Sequence, residues 1–496
     1  MTRYGWLIAI AAAYLYVFPY FPKIQSANEL PRVYLTRALV EDGTVQIDKG
    51  VRQWGGTADV SPNGGHHYSN KAPGSSMLAV PAYAIASVVT EPGLGLSMWL
   101  CRVAAGIVPM LVFLWLLWGF LARFAPDPAV RTLVLVAYGL GSMAMTYSIL
   151  FFSHQLGAVC VGSSWILALD VVERRRGLKA MAASGALAGA ALLTDYQAVF
   201  AAVPVAVMIV VKIRRWPATE ILNTLGSAIL GAAIPIAILL VYHTVAFGSP
   251  LRTGYDASTS FAVYHQQGFL GITELRSEAF WGSLIRPDNG LFILAPWLLL
   301  AFPGAVTLVK NGERGIAITA GAVVVIYVLF ISSINFWRGG WGIGPRYITA
   351  MLPFMLPLIA SQLQAWKEKP LVLGVAASTI VVGVAVYSLS ACTFPYWPDS
   401  LKNPLVEVTF RMLGDNLVAP SLGSAIGIGG IAGVLPFLAC VYGVLGVALY
   451  RAATLRGMLV AFTLGSALLV AFTQLPRTGP HAEKVYDYVR TAVSDL

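Results

Sequence analysis

The sequence predicts an all-α integral membrane protein, a single transmembrane domain over residues 1–496 with about thirteen transmembrane helices. Three observations predict it. Of the 496 residues, 57% are hydrophobic and 11% charged, and the mean hydropathy is +0.72, outside the balance of a soluble domain. The apolar residues gather in runs long enough to cross a bilayer, which takes roughly 17 to 25 residues each. Lysine and arginine concentrate in every second loop between those runs, the asymmetry that orients a membrane chain.

In chain order, spans are expected near 5–22, 97–122, 131–151, 155–171, 178–194, 197–213, 221–246, 290–309, 315–333, 345–363, 370–391, 424–449 and 457–474. The first follows Arg3 and ends in VFPYFPK without a small-residue cleavage pattern, so it reads as a retained anchor and not a signal peptide. The short runs flanking Asp195 leave room for a tilted or partly re-entrant pair. With a cytoplasmic N-terminus, the basic loops all fall on one side: Arg123 with Arg131, ERRRGLK (173–179), KIRR (212–215), KNGER (310–314), KEK (367–369), and Arg451 with Arg456. The extracytoplasmic face then receives the long loops, the first of them residues 23–75, and the C-terminal tail, 475–496. The net charge of +10 is spread over short loops and forms no single basic face, which argues against a nucleic-acid partner. Cys101, Cys160, Cys392 and Cys440 lie in or at the ends of spans with no CxxC spacing, and read as packing residues. No N-x-[ST] sequon occurs, which leans toward a bacterial cytoplasmic (inner) membrane.

Chemistry is therefore sought in the outer loops. The first begins SANELPRVYLTRALVEDG. Asn28 suits a helix N-cap, Pro31 suits a first turn, and Gly43 ends the helix near Asp42. Leu30, Val33, Tyr34 and Ala38 form an apolar face, predicting a short helix lying along the membrane surface. Glu29 and Arg32, three residues apart, emerge side by side. Glu29 reads either as a first-turn carboxylate offsetting the helix dipole or as a general base. Arg32, with Asp59 and Lys71 later in the loop, supplies the parts of a base and a phosphate clamp. HHYSNKAPG then sets Lys71 among aromatic, amide and turn residues, just before SMLAVPAYAIASVV, which is too short to cross comfortably and reads as the wall of a groove. Lys71 either meets an anion there or snorkels to the interface.

Further along, FFSHQLG places His154 at a helix end, where a lone histidine is more often structural than functional. Asp195, in LLTDYQA, either lines a cavity or caps the next helix. The stretch NFWRGGWGIGPRYITAMLPFMLPL puts glycines, whose backbone amides can approach a ligand, ahead of Arg346 and Tyr347; its alternative is an aromatic belt with a snorkelling arginine. RPDNGLF (286–292) poses the same choice. The adjacent His66 and His67 point apart in extended chain and no HExxH is present, so a divalent metal stays open without support.

In order and content these motifs resemble the lipid-carrier-dependent glycosyltransferases of the GT-C fold, nearest to the aminoarabinose transferases acting on lipid A and the protein O-mannosyltransferases. The resemblance rests on N-E-x-x-R (Asn28, Glu29, Arg32), Y-x-x-K-x-P (Tyr68, Lys71, Pro73) and the Arg346-Tyr347 pair, with topology over most of the chain. It implies an inverting transferase that moves a sugar from a polyprenyl-phosphate carrier to a lipid, polysaccharide or protein acceptor at the extracytoplasmic face. Glu29 or Asp59 is implied as the catalytic base, and Arg32, Lys71 and Arg346 as ligands of the donor phosphate. Asn28, Tyr68, His154, Asp195 and Tyr347 are implied in the substrate cavity, with His154, where some relatives carry an acidic residue, contacting the sugar or acting as an auxiliary base. Membrane lipids and the donor are the implied partners; no cofactor is named, and a divalent metal stays open. Two departures matter: Asn28 replaces the first member of the family's acidic pair, and Ala72 its first proline. They keep two other classes in view, a lipid-carrier flippase and a catalytically silent relative that binds the carrier. Polar residues concentrated in an outer loop, and not at midplane, favour chemistry at the membrane surface.

Overall fold

A bilayer offers no water to backbone N–H and C=O groups, so each apolar run must close its hydrogen bonds within itself. The computed structural model, which describes residues 4–494, is accordingly helical, with one two-stranded hairpin. Eight of its helices are long and apolar enough to cross a membrane, and a bent pair, Pro128–Leu140 with Met143–Ile149, makes a ninth if taken as one span. Shorter apolar helices, Gly5–Tyr16 (α1), Gly74–Val89, Leu178–Thr194 and Pro296–Lys310, accompany them. Each segment expected from the sequence overlaps one of these helices. The last two fall on halves of Gly430–Phe472, whose backbone leaves the helical region at Thr454.

The bend of 56° has a local cause. Gly141 ends the first helix, and Ser142 caps the second by accepting from the Ala144 N–H at 3.2 Å. Trp297 Nε1 donates to the freed Gly141 carbonyl at 2.7 Å. The second arm delivers Phe151 and Phe152 to the start of the buried helix Ser153–Val172.

The first outer loop folds as Leu30–Arg37 (α2), Asp48–Trp54 (α3), the antiparallel strands Val60–Asn63 (β1) and His66–Ser69 (β2), and then Gly74–Val89 (α4). Gly64 and Gly65, both at positive φ, make the tight turn between the strands. Two expectations are corrected here. Helix α2 takes Glu29, not Asn28, as its cap position, without a side-chain cap. Every residue of α2 is buried, because α4 and β2 pack over it; it lies inside the protein and not along the lipid surface. A π-turn, Ala38–Asp42, extends it to Gly43, which adopts φ +61° and stops it where the sequence places the end.

The hairpin is anchored to the outer end of the 30-residue helix Ala218–Phe247. Tyr242 Oη donates to the Ser69 carbonyl at 2.9 Å, Asn63 Nδ2 to the Ala246 carbonyl at 2.9 Å, and Ser61 Oγ to the Gly254 carbonyl at 2.5 Å. Helix α4 meets the end of Leu178–Thr194 so closely that a Cβ on Gly74 would lie 2.6 Å from Thr194 Oγ1 and 2.8 Å from the Leu193 carbonyl. That contact joins the end of the first loop to the segment that carries Asp195, and Lys71 and Asp195 line one cavity. At the other end of the molecule, Arg123 binds Glu173 at 2.6 Å and Glu313 at 2.7 Å, drawing three of the basic loops together. The helix His481–Ser494 packs beside the turn Leu405–Phe410, its Glu483 paired with Arg411 at 2.8 Å and its Tyr488 edge-on to Trp341.

Candidate active site

Between the first loop, the start of Ser153–Val172 and the segment 339–347 lies a cavity of about 440 Å³. Eight of the ten residues nominated from the sequence line it: Asn28, Arg32, Asp59, Lys71, His154, Asp195, Arg346 and Tyr347. They come from six stretches of chain, and the fold described above explains each arrival.

Arg32 projects from α2 and is 3% exposed. Its NH1 donates to the Asn28 carbonyl and to Asn28 Oδ1, and its NH2 to Ser153 Oγ at 2.8 Å. Arg346 is buried as well; it donates to the Gly339 carbonyl and, at 3.4 Å, to the Trp341 carbonyl, with its guanidinium 5.0 Å from the Phe152 ring centre. Among the described residues neither arginine has a carboxylate partner, and Nε of each is buried without a hydrogen bond. These two buried cations, held by neutral groups, make a positive patch in a lining that also contains Asp59, Asp195 and Asp399.

Lys71 is the third cation. Its Nζ lies 2.9 Å from Asp59 Oδ1, which also accepts from Asn70 Nδ2 at 3.2 Å, and 5.5 Å from the centre of the Tyr255 ring. Asp59 Oδ2 takes no hydrogen bond among the described residues. Burial pulls the Lys71 ammonium down to about 8, Asp59 pulling the other way and Arg32 and Arg346 adding repulsion. Nearby His265 is held at about 4, by burial and then by Lys71.

His154 Nδ1 lies 2.7 Å from Asp195 Oδ2, and its Nε2 is buried with no partner among the described residues. The Tyr347 ring stands edge-on to the imidazole at 5.6 Å. Asp195 binds this histidine from the N-cap position of the turn Tyr196–Ala198.

Two nominated residues sit elsewhere. Glu29 is 1% exposed and fully engaged: Arg102 donates to both its oxygens at 2.9 and 3.1 Å, Tyr396 Oη at 2.6 Å and the Phe151 N–H at 2.5 Å. A carboxylate with four donors is a structural tie between the first loop, a span and two outer loops, with no lone pair left for a substrate proton. Tyr68 packs on Phe247 behind the hairpin. The adjacent His66 and His67 share Asp48, at 2.9 and 2.8 Å, and among the described residues no three His, Cys, Asp or Glu side chains gather as a metal set. Sequence reasoning missed Arg102, whose position inside an apolar run was the available signal, and the aromatic stretch of Tyr255, Phe261 and Tyr264, which closes the cavity mouth together with Phe336.

No protein-family model and no curated protein matches the sequence. Among solved structures, the chain is similar to ArnT from Cupriavidus metallidurans in the apo state, with 16% identity and a TM-score of 0.53 over 94% of this chain and 78% of that one. The same protein bound to undecaprenyl phosphate aligns with a TM-score of 0.52 at the same identity and coverage. The chain has the GT-C fold. The oligosaccharyltransferase of Archaeoglobus fulgidus is a more distant likeness, with a TM-score of 0.44 and 12% identity over 98% of this chain and 59% of that one. The aromatic-lined cavity and the Arg123 cluster lie at opposite ends of Ser153–Val172, His154 at its start and Glu173 after its last residue.

Proposed function

We propose that this GT-C protein is an inverting glycosyltransferase that takes a sugar from a polyprenyl-phosphate carrier and passes it to an acceptor at the extracytoplasmic face of a bacterial inner membrane. One observation carries the reading. Arg32 and Arg346 are buried in a cavity wall with no carboxylate in ion-pair contact among the described residues, beside a lysine whose ammonium is already depressed. Buried guanidinium groups left without an ion pair call for an anion, and their planar forks suit phosphate. The bound carrier of the ArnT structure, undecaprenyl phosphate, is an anion of this kind.

In the reaction, a nucleophilic oxygen or nitrogen of the acceptor attacks the anomeric carbon from the side opposite the phosphate. The bond between that carbon and the phosphate oxygen breaks, its electron pair stays on the phosphate, and the configuration inverts. The phosphate gains a negative charge as it leaves, and Arg32, Arg346 and Lys71 stabilise that charge more than the ground state. Asp59 holds Lys71 in place. Of the two acids nominated from the sequence, it is the one with a place in this cavity. Tyr255 and the other mouth aromatics offer flat faces to a sugar ring.

The test uses purified full-length protein in lipid vesicles, radiolabelled polyprenyl-phosphate sugars and extracted envelope lipids. Label should move to an acceptor, and Arg346→Ala should weaken carrier binding by roughly ten- to a hundredfold, the worth of one charge-assisted hydrogen bond. Carrier binding with no transfer would leave a silent carrier-binding protein, and vesicle translocation of the carrier a flippase; either result sinks the enzyme.

A further inference from the structure

Inverting transfer to a hydroxyl or amine needs a group to receive the acceptor's proton; of the cavity's acids and histidines, Asp59, His154, Asp195, His265 and Asp399, two are buried in its wall, Asp59 and His154. Asp59 already serves the lysine: its Oδ1 accepts from Lys71 and from Asn70 and its charge balances the ammonium, leaving Oδ2 without a hydrogen bond among the described residues. His154 is not. Its Nδ1 faces Asp195 Oδ2 at 2.7 Å, an arrangement that places the ring proton on Nδ1 and leaves Nε2 as a bare lone pair. That lone pair is buried and unpartnered, in a side chain that forms part of the cavity wall. A buried acceptor without a donor calls for a reason, and a substrate O–H or N–H is one.

The surroundings support the assignment. The residues before His154 tie it to the phosphate grip: Ser153 accepts from Arg32, and Phe152 underlies the Arg346 guanidinium. The imidazole therefore sits next to where the leaving group is held. Tyr147 and Tyr347 stand edge-on to the ring at 5.9 and 5.6 Å and fix its plane. A Cβ on Gly157, one turn along the same helix, would lie 3.2 Å from Asp195 Cβ, so the glycine admits the aspartate to its histidine.

We propose that His154 is the catalytic base of the transfer and Asp195 its positioning residue, with Asp59 kept as the anchor of Lys71. This rests on the glycosyl-transfer reading above. The acceptor's proton passes to His154 Nε2 as its oxygen or nitrogen bonds to the anomeric carbon and the sugar–phosphate bond breaks. Asp195 stabilises the imidazolium so formed, and the proton returns to solvent when the products leave. The substrate class follows: the acceptor presents a neutral hydroxyl or amine, whose proton must be removed during attack and not before it.

The same vesicle assay decides. His154→Gln should lower kcat by about 10²- to 10⁴-fold while the donor KM stays within roughly twofold. In the wild type the rate should rise with pH as the imidazole loses its proton, in a field set by Asp195, Arg32, Arg346, Tyr147 and Tyr347. That limb should vanish in His154→Gln and move to lower pH in Asp195→Asn, which removes the charge favouring imidazolium. Binding of undecaprenyl phosphate by each variant reports its folding, and Asp195→Asn carries the test alone if the glutamine variant fails to fold. A His154→Gln enzyme that binds carrier and keeps kcat within about threefold would overturn the proposal, as would an unmoved pH limb in Asp195→Asn. Wild-type protein that binds carrier yet transfers nothing overturns the glycosyl-transfer reading instead, a distinct result.

Discussion

Lys71 shows how one side chain records its environment. Its ammonium is held near 8 by burial, so the charge that grips an anion is complete below about pH 8 and lost as pH rises through that value. Donor KM should therefore climb above about pH 8, and Lys71→Arg, which stays charged, should move that limb up and out of the measured range. A KM independent of pH in the wild type would remove Lys71 from the anion site. Glu29 behaves oppositely. Breaking its buried pair with Arg102 should cost about 3–5 kcal/mol, so Glu29→Gln is expected to lower the thermal midpoint sharply while the folded fraction binds carrier normally. Normal stability with lost turnover would restore Glu29 as a base. The sequence made Arg32, Asp59, Lys71 and Arg346 legible because cations and an acid in outer loops of an apolar chain stand out by type alone. It could not distinguish Glu29 from Asp59, since the deciding partner, Arg102, lies 73 residues away in a span.

Elements were legible to the degree that their signal is local. Apolar runs became helices, and Gly43 ended its helix with the left-handed conformation expected of it. The hairpin was missed because its strands are four residues each and mixed in polarity, and α2 looked interfacial because nothing in its own eight residues announces the two elements that cover it. Gly74 read as a turn residue, and its larger role is the near contact between α4 and Leu178–Thr194. A valine there must push α4 away from Thr194, shifting the Lys71 wall of the cavity against the Asp195 wall. Gly74→Val should reduce carrier binding by at least about tenfold in protein that still inserts in the membrane, measured by titration with undecaprenyl phosphate. Unchanged affinity would mean that this contact does not set the cavity's width.

At the scale of the whole molecule, the basic loops gather at one end and the cavity opens at the other, as the alternation of charge requires. In a variant lacking the four native cysteines, Arg52→Cys should react with a membrane-impermeant maleimide from outside and Arg175→Cys only after permeabilisation; the reverse pattern would invert the orientation. The number of crossings was the least legible feature, because helices as short as Leu178–Thr194 pass or fail by length alone according to how they lean. Helix Ala218–Phe247 carries a consequence of its own. At 30 residues it is about 45 Å long against a hydrocarbon core of about 30 Å, and it is little covered by the rest of the protein, with 11% of its most apolar window buried. Through Tyr242 and Ala246 its outer end holds the hairpin that precedes Lys71. A path from membrane thickness to the cavity is expected from this: in vesicles of graded acyl-chain length, turnover should peak at one thickness and fall on either side, whereas a flat response would show that the hairpin keeps its geometry independently of the surrounding lipid.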